Sequence, residues 1–297
     1  MLRVVEKTRI WFIISAIIII TGISFMIYHK GLNFGMDFKG GTIIKIDMQK
    51  NFNKNDLDST IQKYVKVNTY DTTKVGSKEL DISVDSDKIT DANSTKLFND
   101  IKKKYNLKDK DLLSRDRIGA SIGSELLQKA ILSLTVSIIL MLLFIAWRFE
   151  FKFGIAAVIA LIHDVLVTLS VYSILNLPVN SSFIAAILTI IGYSISDTIV
   201  IFDRIRENQK KMRDKTLVDM TDTSVSQTVG RSICTVTTTI VTIACVHIFV
   251  PLPSIRDFTL PILVGVASGC YSSIFIASPI WVILKKRSNK KRASLAN

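Results

Sequence analysis

Asp197 is a carboxylate inside an apolar run: within residues 183–202 the other side chains are apolar or small. At ~1.5 Å per helical residue, roughly twenty such residues cross the hydrocarbon core of a bilayer. A charged side chain at that depth costs about 3 kcal/mol on insertion scales. Asp197 must therefore face protein or a water-filled cavity, pair with a base, or carry a proton. Arg231 opens the following apolar run, VGRSICTVTTTIVTIACVHIF, and the basic flank that starts at Asp203-Arg204 joins the two. The pair can thus meet at similar depth. The guanidinium keeps its own proton and would hold Asp197 ionised until the helices shift. A structural ion pair that only orients two helices is the plainer alternative. His163 and Asp164 form a second ionisable pair near the middle of another apolar run. Adjacent helical residues point about 100° apart, so both cannot face one partner. A relay role stays open, as does interhelical hydrogen bonding by Asp164 beside a neutral His163.

These side chains need membrane helices to place them. Hydrophobic residues make up 48% of the chain and mean hydropathy is positive, which points to a multi-span membrane protein with one polar insertion. Apolar runs cover 10–28, 130–147, 154–175, 183–202, 232–251 and 258–284. The net charge of +13 does not indicate nucleic acid as a partner, because Lys and Arg cluster beside these runs, at Arg3/Lys7/Arg9, Arg148/Lys152, Arg204 to Lys215 and Lys285 to Arg292. No nucleic-acid-binding motif accompanies them. The positive-inside rule then predicts an uncleaved first span and six spans in all, with both termini cytoplasmic. Residues 1–29 are the N-terminal cytoplasmic segment and first span, 30–129 an extracytoplasmic α+β domain, 130–284 the remaining spans, and 285–297 a basic cytoplasmic tail suited to an anionic leaflet.

The polar stretch is too long for a structureless loop. GTIIKIDM (41–48) alternates as a strand, and 54–65 has helical apolar spacing. VKVNTYDT and KELDISVD read as a hairpin turning at Val75-Gly76, followed by a helix over 88–105 and a closing strand at 113–118. This β-α-β-β-α-β order predicts a ferredoxin-like domain. GMDFKGGT (35–42) lacks phosphate-loop spacing and follows a membrane span, so no nucleotide or other cofactor is expected. Instead Gly35, Gly40 and Gly41 turn the chain from bilayer to strand, while Asp37 caps or pairs locally. His29 and His247 are isolated, and no metal site is expected. Cys234, Cys245 and Cys270 read as buried packing residues. Thr235, Thr237, Thr238, Thr239 and Thr242 could line a wet path, but are expected first to bond back to helix carbonyls.

Five strings together resemble the SecF proteins of the SecD/SecF family, in the RND superfamily of proton-driven exporters. They are GLNFGMDFKGGT after the first span, IGSELLQKA before the second, ALIHDVLVTL in the third, VNSSFIAAILTIIGYSISDTIVIFDRIREN in the fourth, and Gln-Thr-x-x-Arg-Ser opening the fifth. The fourth string includes Gly192, Ser196, Asp203 and Arg204 as motif residues. The resemblance covers essentially the whole chain. It implies a multi-pass protein of the bacterial cytoplasmic membrane that pairs with SecD beside a SecYEG-type translocon. It further implies use of the proton-motive force to promote export of unfolded polypeptides, with proton transfer at Asp197 and Arg231, contact with membrane lipids, and no covalent catalysis. An RND-type small-molecule exporter subunit and a passive translocon scaffold are the alternatives. Ser196 stands where the family commonly has Asn, and Ser170 where it commonly has Gly. Ser196 still supplies a hydroxyl donor beside the carboxylate, and Ser170 is small enough for a helix contact.

Overall fold

The computed structural model describes residues 3–296 apart from 68, 76–77, 86–87 and 251. The first helix, α1 (Thr8–Tyr28), is apolar almost throughout. A single helical turn, α2 (Met36–Lys39), leads through Gly40 into β1 (Gly41–Asp47). Then come α3 (Lys54–Ile61), β2 (Tyr70–Val75), β3 (Glu79–Asp85), α4 (Asp91–Tyr105) and β4 (Leu112–Ile118). The strands make one sheet in the order β2-β3-β1-β4, every neighbouring pair antiparallel. Alternation along the strands turns Ile44, Ile46, Leu80, Ile82 and Val84 inward, against Leu57 and Ile61 of α3 and Leu97 and Ile101 of α4. Thr90 caps α4, accepting from the Asn93 amide at 3.3 Å, and Asn106 ends it at φ 59° after the basic turn Lys102-Lys103-Lys104. Strand β2 starts at Tyr70 rather than within VKVN, because Val65 stays buried in this core after α3. The expected turn at Gly76 lies outside the described residues.

The chain continues as α5 (Ala120–Arg148), α6 (Phe151–Ile174), α7 (Ser181–Lys211), α8 (Leu217–Phe249) and α9 (Pro253–Ser272). A π turn, Ser273–Ala277, joins α9 to α10 (Ser278–Ala296). Among the described residues, six helices are long and apolar enough to cross a membrane, as the apolar runs predict. They outrun those runs: α5 begins at Ala120, α7 continues to Lys211, and residues 285–296 extend α10 rather than forming a separate tail. Apolarity marks only the part of a helix that meets lipid, and polar turns lengthen it at either end.

The bundle has its own apolar cluster, separate from that of the sheet. Close contacts rest on small residues, as membrane helices require. A Cβ on Gly265 of α9 would stand 2.2 Å from Ile190 of α7, and one on Gly269 would stand 3.1 Å from Ser194. A Cβ on Gly22 of α1 would stand 2.2 Å from the Ser170 Cβ, so Ser170 is accommodated because its opposite number has no side chain. The expected burial of the cysteines is corrected: Cys234 and Cys245 are exposed on α8 and Cys270 is half-buried. An apolar run on a membrane helix includes an outward face as apolar as the inward one, so hydrophobicity does not imply burial there.

Candidate functional site

Asp197 and Arg231 line one cavity of about 70 Å³ together with Tyr193, Ser196, Val200, Thr235 and Val236. The space is roomy enough for a few water molecules. The two charged residues are brought to the same place but are not joined, since among the described residues they form no ion pair within 4.0 Å. Arg231 lies on the exposed face of α8, whereas Asp197 is half-buried. One carboxylate oxygen, Oδ2, is buried without a hydrogen-bond partner, and so is the Ser232 Oγ. A buried carboxylate left this way is costly in its charged form. The arrangement is one in which a carboxyl group can gain and lose a proton without breaking an ion pair. On α8 the hydroxyls of four of the five threonines, Thr235, Thr238, Thr239 and Thr242, bond back to carbonyls one turn earlier at 2.9 Å.

Asp164 occupies the opposite kind of environment. It is fully buried and accepts hydrogen bonds from Ser194 of α7 at 2.7 Å and from Ser268 and Ser272 of α9 at 2.7 and 2.8 Å. The ring of His163 folds back on its neighbour, with Nδ1 3.2 Å from Asp164 Oδ1, and its Nε2 lies 2.9 Å from Ser15 Oγ of α1. The pair therefore shares one network even though the two side chains leave the helix in different directions. One turn along α7, Thr198 meets Ser273 at 2.7 Å. The π turn begins here and lets the consecutive Ser272 and Ser273 both face inward. None of Ser15, Ser194, Thr198, Ser268, Ser272 and Ser273 stands out from residue type alone. Their signal is the four-residue spacing of Ser194/Thr198 and of Ser268/Ser272 inside apolar runs.

The glycine-rich stretch sits at the sheet end of the bundle. The Gly35 amide donates to Val179 O at 2.6 Å, and the Val179 amide to Asn33 O at 2.7 Å. Gly40 has φ 72°, and a Cβ on Gly41 would stand 2.4 Å from Val84 O, so these glycines do turn the chain tightly into the strand. Asp37 does not pair locally. Its Oδ2 accepts from the Ser181 amide at 2.8 Å, across 144 residues of sequence, because the first turn of α7 presents amides with no partner in its own helix. At the other end of α7, Asp203 pairs with Arg206 at 3.1 Å and lies 4.0 Å from Arg148, while Arg204 pairs with Glu207 at 2.8 Å. Gly192 and Ser196 are exposed, and a Cβ on Gly192 would meet nothing within 4 Å.

Comparison with known proteins agrees with this layout. Residues 98–287 match the family described as protein export membrane protein SecD/SecF, C-terminal, and residues 25–51 match the SecD/SecF GG motif. The chain is 36% identical to the protein translocase subunit SecF of Sebaldella termitidis, covering 96% of this chain and 92% of that protein. It is 34% identical to the protein translocase subunit SecDF of Bacillus subtilis, covering 96% of this chain but 38% of that protein. The crystal structure of SecDF from Thermus thermophilus, a translocon-associated membrane protein, superimposes with a TM-score of 0.85 at 31% identity, over 95% of this chain and 38% of that one. The chain thus spans well under half the length of its SecDF relatives. On its sequence and its architecture alike, it belongs to the SecD/SecF family of protein-export membrane proteins.

Proposed function

We propose that the chain is the SecF-type half of a proton-driven export unit in a bacterial cytoplasmic membrane, with both termini cytoplasmic and the sheet outside. The length of the SecDF relatives not matched here leaves room for a SecD half as its partner. Unfolded polypeptides leaving a SecYEG-type translocon would be the cargo. The observation that carries this reading is the Asp197 cavity, where a carboxylate oxygen has no partner and the nearby guanidinium is free of it. The exposure of Arg231 and Ser196 on the α7–α8 face adds support, because lipid accepts such polar groups poorly and a partner helix would cover them. In the proposed cycle Arg231 approaches Asp197 and holds it ionised in one arrangement, and withdraws so that Asp197 takes up a proton in the other. Asp164 and His163 are assigned to helix cohesion, since the acceptor capacity of Asp164 is filled by hydroxyls. The inserted domain is read as ferredoxin-like, on its β-α-β-β-α-β order and its antiparallel sheet.

The test is export in inverted membrane vesicles with and without a proton gradient. Asp197→Asn should remove the gradient-stimulated part at normal abundance, and its retention would refute the proton role. Orientation is tested separately: single cysteines at the exposed Lys74 and Pro178 should label from outside spheroplasts, and one at the equally exposed Lys210 should not.

A further inference from the structure

We infer that Asp37 is a positioning residue: through its hydrogen bond to Ser181 it ties the outer sheet to α7, so that displacement of the sheet moves the helix that carries Asp197. The link is short. Asp37 lies in the single turn of α2, and only Gly40 separates that turn from β1. On the other side, Asp37 Oδ2 holds the first amide of α7 at 2.8 Å, and Asp197 follows about 24 Å further along that continuous helix at ~1.5 Å per residue. The joint is braced from two directions. Backbone pairing of Gly35 with Val179 at 2.6 Å leaves little room for a side chain, because a Cβ on Gly35 would stand 3.0 Å from the Asn180 Cβ and 3.1 Å from Val179 O. Asn180 in turn caps α7 at the Phe183 amide, 3.0 Å away, and donates to Asp257 of α9 at 2.8 Å. Helix α9 packs on α7 through Gly265 and Gly269 and lines the Asp164 network, so the two helices respond as one unit. Nothing in this geometry requires Asp37 to change protonation. It needs an oxygen acceptor at that position and no slack on either side.

The inference rests on the proposed proton role of Asp197, and its test separates the two. In the full chain with its partner half, reconstituted in liposomes and with Cys234, Cys245 and Cys270 replaced by Ser, spin labels at Lys74→Cys on β2 and Ala185→Cys on α7 report the sheet-to-helix distance. The distribution should be narrow in the parent, broad in Asp37→Ala, and narrow again in Asp37→Asn, whose side-chain oxygen still accepts from the Ser181 amide. Gradient-stimulated export should fall about five-fold in Asp37→Ala, the scale of losing one helix cap, and return in Asp37→Asn. A role for Asp37 as a charge or proton carrier predicts instead that Asn behaves like Ala. Should Asp37→Ala be poorly inserted, Gly35→Ala provides a second lesion of the same joint with Asp37 intact. An unchanged distance distribution in Asp37→Ala overturns the joint. A broadened distribution with undiminished gradient stimulation overturns its coupling to Asp197. Gradient stimulation that survives Asp197→Asn defeats the proton reading alone, since the distance measurement does not depend on it.

Discussion

The hydroxyl of Ser194 donates to the carboxylate of Asp164 at 2.7 Å, from the same helix that carries Asp197 three residues later. Asp164 and Asp197 therefore have contrasting surroundings. Asp164 is saturated with hydroxyl donors, whereas one oxygen of Asp197 has none. A saturated carboxylate is suited to holding helices together, and an unsatisfied one beside a cavity is suited to exchange.

Asp164→Ala should accordingly act on stability. It strands the hydroxyls of Ser194, Ser268 and Ser272, and unpaired buried polar groups cost about 1–3 kcal/mol each. Abundance in membranes and the thermal transition in detergent should both drop, with Asp164→Asn intermediate because it keeps one acceptor oxygen. Protein that survives should still respond to the gradient. Loss of that response in Asp164→Asn at normal abundance would instead place Asp164 in the relay.

Gly22 and Ser170 should show a compensating pair. Gly22→Ala drives a methyl into Ser170, and overpacking of this kind typically costs about 1–3 kcal/mol. Adding Ser170→Gly should recover most of the loss. The double-mutant cycle in thermal stability measures the coupling, and simple additivity would argue against direct contact.

Asp81 in the sheet should give a pH signature. Burial, opposed by Lys45 and reinforced by the charges of Glu79 and Asp257, pushes its carboxyl up from an ordinary 3.8 to about 6. The folded sheet therefore binds this proton more tightly than the unfolded chain does. The resulting stabilisation is present below about 3.8 and is lost as pH rises toward about 6. The thermal transition of the sheet in the full chain should fall across that window, and Asp81→Asn should flatten the contribution. An identical slope in the variant would mean that another group titrates.

At the end of the bundle away from the sheet, Asp222 Oδ1 accepts from the Val4 and Val5 amides at 3.0 and 2.8 Å and holds Val4 in the apolar core. Asp222→Ala should free this segment, and trypsin added to inverted vesicles should cut faster at Arg3 and Lys7. Asp222→Asn, which retains the acceptor, should stay protected.

Much of this architecture is legible in the amino-acid order. The spans follow from apolar runs and flanking charge, and β1, β3 and α4 from periodicity, because each signal is local. The meeting of Asp197 and Arg231 at one cavity follows from their depth on adjoining helices. The serine and threonine stripe is not legible in the same way: hydroxyls in an apolar run read as backbone-bonded by default, and only the packing of α6, α7 and α9 turns Ser194, Ser268 and Ser272 toward Asp164. The Asp37–Ser181 cap is likewise a product of tertiary folding, with nothing nearby in sequence to announce it. The exposed Cys234 and Cys245 show the same limit in reverse, because a membrane helix carries no polar face to mark its outside.

The proton role of Asp197 is tested most directly by removing the charge alone and then together with its neighbour. Gradient-stimulated export in inverted vesicles is measured for Asp197→Asn, Asp197→Glu and the double variant Asp197→Asn with Arg231→Gln. A proton carrier predicts loss in Asp197→Asn, partial activity in Asp197→Glu, which keeps a titratable group, and continued loss in the double variant at normal abundance. Wild-type gradient stimulation in the double variant would contradict this and leave Asp197 a structural residue.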